Sequence, residues 1–240
     1  VRFTPKQLAI RNVKNLLSHI GFSEVLTYSF IGETIAKQFQ SAFLRKGEIN
    51  TVSLQNPISS DMAVMRPSLL PGLIHGLIRN FSKGQKHVKI FEFGNIFISS
   101  KENAYEERMI FAGLVAGTRG NNVWEQTGSS YDYFDLKGVL DSVTRCLRLN
   151  LTEQPGSGRP FMLVGKNVRL MANGQDCGYF GELSSSIVRL YELPRHCIVF
   201  ELDFDMLIHS CSKKASFLPL PKFPETFRDI SILIDKTVAS

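Results

Sequence analysis

Residues 56–81 read NPISSDMAVMRPSLLPGLIHGLIRNF, a turn, a short extended run and one well-marked helix. Asn56-Pro57 opens the turn, because proline fixes its own φ and moves the preceding residue away from helix. Residues 62–66 are extended, and Arg66 is held so by Pro67. Ser68 suits an N-cap, and Pro71 falls in the first turn, where its missing N–H costs little. Leu70, Leu73, Ile74, Leu77, Ile78 and Phe81 follow at helical spacing and make one apolar stripe. Gly72 and Gly76 sit one turn apart beside it. Each interior glycine costs about 1 kcal/mol against alanine, so close approach by another backbone is the expected compensation. The pattern predicts a helix packed tightly on a sheet.

The flanking sequence supplies that sheet. Thr4-Pro5-Lys6-Gln7 is a capping box with proline at the first helical position. Ala9, Val13, Leu16, Leu17 and Ile20 line one face of the helix it opens, and Gly21 stops it. Residues 25–30 alternate as a strand, with Leu26, Tyr28 and Phe30 on one face. A short helix over 34–39, a turn at Lys46-Gly47-Glu48 and a strand over 49–54 lead into the Asn-Pro turn. After the central helix, residues 88–98 and 109–116 read as strands joined by the polar segment 99–108. Gly120-Asn121-Asn122 is a loop, with no helix opening on it as a dinucleotide fingerprint requires. Asp132 and Asp135 cap a helix carrying Leu136, Val139, Leu140, Val143 and Leu147 on one face. Residues 156–158 are loop. Asn173-Gly174 between runs 168–172 and 177–183 is a two-residue hairpin turn. Helix over 184–191, strand over 197–203 and helix over 204–209 complete the core. Three prolines within 219–224 make a linker, and residues 227–235 alternate as a strand. Hairpin connections make the sheet mostly antiparallel, since parallel strands need long crossovers. The fold class is α+β.

Composition narrows the function. The chain has 240 residues, 43% hydrophobic and 21% charged, enough for one large domain with a full core. Scattered basic residues leave a net charge of +6, which permits weak contact with nucleic acid without arguing for it. Apolar runs stop short of the roughly 18 residues that a membrane span needs. The opening at Val1 reads as an excised segment of a longer protein. Four cysteines without a CxxC pair suit reduced, buried thiols, and five histidines without HxxxH give no zinc set.

The Asn-Pro turn, RPSLLPGL (66–73) and FEFGNIF (91–97), followed by DYFDLKGVL (132–140), GYFGEL (178–183), VFELDFDML (199–207) and FPETFRDISILID (223–235), occur in a family's order. Together they resemble the beta chain of bacterial phenylalanine–tRNA ligase, and cover nearly the whole chain. The resemblance implies a class II aminoacyl-tRNA synthetase-like core over 1–215, a mostly antiparallel sheet flanked by helices. Residues 216–240 would be a linker and the first strand of a truncated ferredoxin-like anticodon-binding domain. The opening helix and GFSEVLTYSF (21–30) match the first class II motif, which builds the subunit interface; the same pattern also suits a plain amphipathic surface helix.

Active class II enzymes stabilise charge at the α-phosphate of ATP with fixed arginines and Mg²⁺-holding carboxylates. At the matching positions this chain has Ile90 and Leu202, and aliphatic side chains bind no phosphate. The resemblance therefore implies a non-catalytic scaffold: no catalytic, cofactor or metal residue in this segment, with ATP and Mg²⁺ used by the whole complex. The implied partners are the catalytic alpha subunit, in an alpha2beta2 heterotetramer, and tRNA(Phe), in the cytoplasm and away from membranes. Editing would belong to regions before Val1. Leu8 lies off the apolar stripe of the first helix and, with Arg11 and Lys14, is the candidate subunit interface. Arg66 is the candidate tRNA or partner contact, with a structural ion pair or carbonyl clamp as the alternative. Competing readings are a free-standing class II-like ATP-using ligase and a soluble α+β interaction domain.

Overall fold

The computed structural model describes residues 2–39, 51–99, 105–119, 129–156, 158–211, 228–231 and 233. Its elements run α1 (Pro5–His19), β1 (Ser23–Glu24), β2 (Phe30–Ile31), α2 (Glu33–Gln38), a 3-10 turn (Ser60–Met62), β3 (Val64–Met65), α3 (Leu70–Ser82), β4 (His87–Ser99), β5 (Tyr105–Gly117), α4 (Tyr133–Leu147), β6 (Leu151–Pro155), β7 (Met162–Ala172), β8 (Gln175–Leu183), α5 (Ser185–Leu190), β9 (Cys197–Asp203) and α6 (Phe204–Ser210). Among the described residues, seven strands form one sheet in the order β1-β4-β5-β9-β8-β7-β6. Every neighbouring pair is antiparallel except β1–β4, so the fold is α+β with a mostly antiparallel sheet.

Side-chain alternation along the strands divides the core into two layers. Val88, Ile90, Ile96, Ala112, Leu114, Tyr179 and Val199 point to the face covered by α2, α3 and α5. Phe91, Phe111, Val115, Phe180, Phe200 and Leu202 point to the face covered by α1, α4 and α6. On that second face the rings of Phe93 and Phe111 stack at 4.6 Å, with Phe200 edge-on to Phe111 at 4.7 Å and Phe204 edge-on to Phe93 at 4.9 Å. Such ring pairs add about 0.5–1.5 kcal/mol each beyond their buried area. The cluster exists because β5 carries Gly113: a Cβ there would lie 2.3 Å from Cε1 of Phe200.

Local signals were obeyed where the bonds they need are local. Thr4 and Gln7 make both capping-box bonds of α1, and Asp132 and Asp135 make those of α4. Asn173 and Gly174 both take positive φ, 50° and 78°, as the two-residue turn between β7 and β8 requires. The proposed strand over 25–30 did not form as one element. Ser23–Glu24, just before it, pairs with β4, and its last residue pairs with β3 as part of Phe30–Ile31, so the residues between cross from one partner to the other. Residues 51–54 make only a single bridge, Ser53 to Val64, instead of a strand. Strand β6 had no apolar alternation to announce it, because it is an exposed edge. The expected turn at Lys46-Gly47-Glu48, the loop at Gly120-Asn121-Asn122 and the proline linker lie outside the described residues. Of the expected strand over 227–235, the described residues 228–231 and 233 are in no strand.

Replacing Gly113 by alanine should overpack the aromatic layer and cost about 1–3 kcal/mol. The measurement is thermal unfolding followed by near-ultraviolet circular dichroism, with a lower midpoint and altered aromatic signal expected.

Candidate functional site

The central turn Arg66-Pro67-Ser68-Leu69 is gripped from below by two buried glutamates. Glu92 on β4 faces Ala112 on β5, Ala112 faces Glu201 on β9, and Glu201 faces Tyr179 on β8. These residues form one row across the sheet, on the α3 side. The Arg66 and Glu92 side chains are only 6% and 2% exposed, and Arg66 Nη1 donates to Glu92 Oε1 at 2.9 Å. Arg66 Nε donates to the Asn95 carbonyl at 2.9 Å, and Nη1 also donates to Thr27 Oγ1 at 2.8 Å. The Thr27 hydroxyl in turn donates to Glu92 Oε2 at 2.7 Å. At the other end of the row, Glu201 accepts from Ser68 Oγ at 2.9 Å, from the Leu69 amide at 2.7 Å and from Tyr179 Oη at 2.6 Å.

Two glycines make room for this network. A Cβ on Gly72 would fall 2.2 Å from Thr27 Oγ1, and one on Gly94 would fall 2.4 Å from an Arg66 guanidinium nitrogen. The close approach expected at the glycine pair of α3 is therefore made at Gly72 by a side chain rather than a backbone. Gly76 instead forms part of the wall of a groove. Ser68 is not the helix cap in the expected sense. Leu69 occupies the boundary in a helical conformation, while Ser68 Oγ accepts from the Leu70 amide at 3.1 Å. A buried carboxylate, Glu201, takes the Leu69 amide instead.

Burial acts on the protonation of Glu201 and Tyr179. It raises the Glu201 carboxyl and the Tyr179 phenol above their ordinary values and outweighs the three hydrogen bonds Glu201 receives. The Arg159 guanidinium lies 4.3 Å from the centre of the Tyr179 ring, and burial pushes its value down. Its buried Nη1 has no hydrogen-bond partner among the described residues.

The structure places Arg66 inside the molecule, where its geometry matches the ion-pair and carbonyl-clamp alternative. Ile90 and Leu202 are both buried, but on opposite faces of the sheet. They cannot flank one phosphate chain together. Strand alternation puts Glu201, not Leu202, on the side of Ile90, and Ile90 lies under α3. Leu8 is 41% exposed on α1, and Arg11 is exposed with its guanidinium 4.6 Å over the Phe3 ring. Lys14, one turn on from Arg11, is partly exposed and paired with Glu24.

A surface for which the alternation gave no side lies at residues 25–29. Thr27 is pulled inward by Arg66 and Glu92, which turns its neighbours Leu26 and Tyr28 outward, 84% and 75% exposed. They border a groove of about 600 Å³ with Gly72, His75 and Gly76 of α3. The alternation of Leu26 and Tyr28 was legible; that their face is solvent and not core was not. Cys177 and Cys197 are buried and pushed up to about 12 by burial, which makes them poor nucleophiles. Cys146 is exposed, contrary to expectation, because it lies off the apolar stripe of α4.

A model of the phenylalanyl tRNA synthetase beta chain CLM domain matches residues 1–204. Phenylalanine–tRNA ligase beta subunits are similar over nearly the whole chain. That of Carboxydothermus hydrogenoformans is 33% identical over 239 residues, 98% of this chain and 29% of the relative. That of Moorella thermoacetica is 34% identical over 222 residues, 90% of this chain and 27% of the relative. That of Vibrio parahaemolyticus is 32% identical over 245 residues, 97% of this chain and 29% of the relative. The chain thus spans less than a third of the length of these relatives.

Two outcomes test the row. Glu92→Gln should destabilise the fold by about 3–5 kcal/mol, because it leaves the Arg66 charge buried without its counterion. The measurement is urea unfolding. Glu201→Gln keeps hydrogen-bonding capacity toward Ser68, Leu69 and Tyr179 but removes a titration. A carboxyl raised in the folded state stabilises fully below its unfolded value, about 4.3, and that stability is lost as pH rises through the folded value. Stability of the native chain should therefore fall with rising pH over that window more steeply than that of Glu201→Gln.

Proposed function

The chain belongs to the phenylalanyl-tRNA synthetase beta-chain family, and we propose that it is a non-catalytic, class II synthetase-like scaffold within that subunit. Its task is to hold the catalytic alpha chain, in an alpha2beta2 assembly, for aminoacylation of tRNA(Phe) in the cytoplasm. The observation that carries this reading is the row on the sheet face. Glu92 and Glu201, the carboxylates of the two stretches that resemble catalytic motifs, are both spent internally on residues 66–69, and Ile90 is covered by α3. Adenylate chemistry needs charged groups free to meet ATP. ATP and Mg²⁺ are accordingly the alpha chain's to bind, and residues 216–240 are a linker and the start of an anticodon-binding domain. No helix among the described residues is long and apolar enough to cross a membrane.

The working surface of a scaffold is an interface. Leu8 and Arg11 on α1 form one part of it, and Leu26 and Tyr28, beside the groove on the α3 side, form a second. Stable interfaces bury about 1,200–2,000 Å² and depend on a few anchors, with aromatic side chains favoured. Arg66 supports this surface from inside by holding Thr27.

Leu8→Glu combined with Arg11→Glu should weaken assembly with the alpha chain by about tenfold or more, with the circular dichroism of the beta subunit unchanged. Analytical ultracentrifugation of mixed subunits reads the outcome, and unaltered assembly would move the interface off α1. Full-length beta subunit purified without an alpha chain should leave phenylalanine-dependent pyrophosphate exchange at background; sustained exchange would restore the catalytic reading.

A further inference from the structure

One cleft at the rim of the sheet presents donors and no carboxylate. It has a volume of about 480 Å³ and lies where the turn after α3 meets the end of β5 and the start of β9. Lys86, Arg195, His196, Gln85, Thr118 and Ser130 contribute all of its polar side chains. Lys86 and Arg195 are exposed and have no ion-pair partner among the described residues. The backbone amides of Gly84, Gln85 and Thr118 are already bonded to carbonyls. The C-terminal end of α3 points here, and its partial negative charge favours the cations and not a bare anion. An anion would therefore be held by the side chains themselves.

A second cleft, of about 550 Å³, adjoins the first and shares Ser130 and His196 with it. Tyr131, Tyr133 and Phe134 line it. The Phe134 ring is 74% exposed and leans edge-on against Tyr133 at 5.5 Å. The acids of this second cleft are already committed. Asp132 pairs with Arg119 at 2.9 Å, and Glu182 holds Lys166 at 3.0 Å and His196 Nδ1 at 2.7 Å. Uncommitted cations beside an open aromatic face match a nucleotide strand, with its alternating phosphates and bases. An acidic peptide would use the cations alone and would meet Asp132 and Glu182 where a base would meet Phe134.

We propose that Lys86 and Arg195 hold backbone phosphates of an RNA strand in this cleft, with an unpaired base stacked on Phe134. The site deepens the reading above, and rests on it, in that the assembled enzyme binds tRNA. It moves the RNA contact from Arg66, which is buried, to the opposite end of β4.

The test uses full-length beta subunit assembled with its alpha chain and a tRNA(Phe) transcript as probe, with filter binding over a range of salt concentrations. Lys86→Glu with Arg195→Glu should lower the affinity at least about tenfold. It should also make the slope of log affinity against log salt shallower by about 1.4–1.8, the contribution of two phosphate contacts. Lys86→Arg with Arg195→Lys should retain both affinity and slope. Unchanged binding by the charge-reversed assembly overturns the cleft while leaving tRNA binding by the enzyme intact. A native assembly that binds no transcript overturns the parent reading as well. Polyglutamate that displaces the transcript from the native assembly as effectively as an RNA homopolymer of equal length would assign the cleft to acidic chains and overturn the proposal. Should the charge reversal prevent assembly, Phe134→Ala decides, since its side chain is exposed. A several-fold loss at constant salt slope is expected, and unchanged affinity overturns the site.

Discussion

Two carboxylates buried on one face of a β-sheet hold the turn around which this molecule is built. Glu92 and Glu201 stand in register on either side of Ala112, and the small residue between them lets both carboxylates reach one turn. Glu92 takes Arg66, and Glu201 takes Ser68 and the Leu69 amide. A buried charge is tolerated only when it is paired or fully hydrogen-bonded. Glu92 meets that condition with a counterion, Glu201 with three donors and a raised affinity for its proton. The start of α3 is thereby fixed over the sheet, and the apolar stripe of that helix follows it onto Ile90 and Leu114.

The same network reaches outward. Thr27 occupies both the donor and acceptor capacity of its hydroxyl on Arg66 and Glu92, so the backbone on either side of it cannot turn over. Leu26 and Tyr28 are exposed as a consequence of that inward anchor. Exposed side chains mounted in this way on a buried ion pair have little conformational freedom left to lose on binding.

Particular residues show how far local sequence reached. The capping boxes at Thr4 and Asp132, the Asn173-Gly174 turn and the stripe on α3 all formed, because the bonds they depend on lie within a few residues. The strand over 25–30 failed because the chain switches partners across it, from β4 just before it at Ser23–Glu24 to β3 at Phe30–Ile31. Strand β6 was invisible because an exposed edge carries no apolar alternation. Arg66 was noticed as a polar residue in an apolar stretch, and an ion pair was among its readings. Its partners were not identifiable, since Thr27 and Glu92 are 39 and 26 positions away. Gly94 carried no signal at all; the guanidinium that fills the place of its Cβ comes from another segment.

The sequence by itself determined the α+β class, the long helices, the mostly antiparallel sheet and, through motifs in a fixed order, the family. The class, the helices and the sheet follow from periodicity, capping and turn chemistry, which act over one or two turns of chain; the family came from the resemblance of the ordered motifs to known sequences. Only the tertiary structure decided which polar residues face each other, because strand register joins positions that no local pattern relates. It put Ile90 and Leu202 on opposite faces through the two-residue period of a strand, and withdrew Arg66 from solvent. It also brought the turn after α3 beside the start of β9, gathering Lys86 and Arg195 into one cleft: their positive charges can be read from the chain, but their common address comes from the folded sheet.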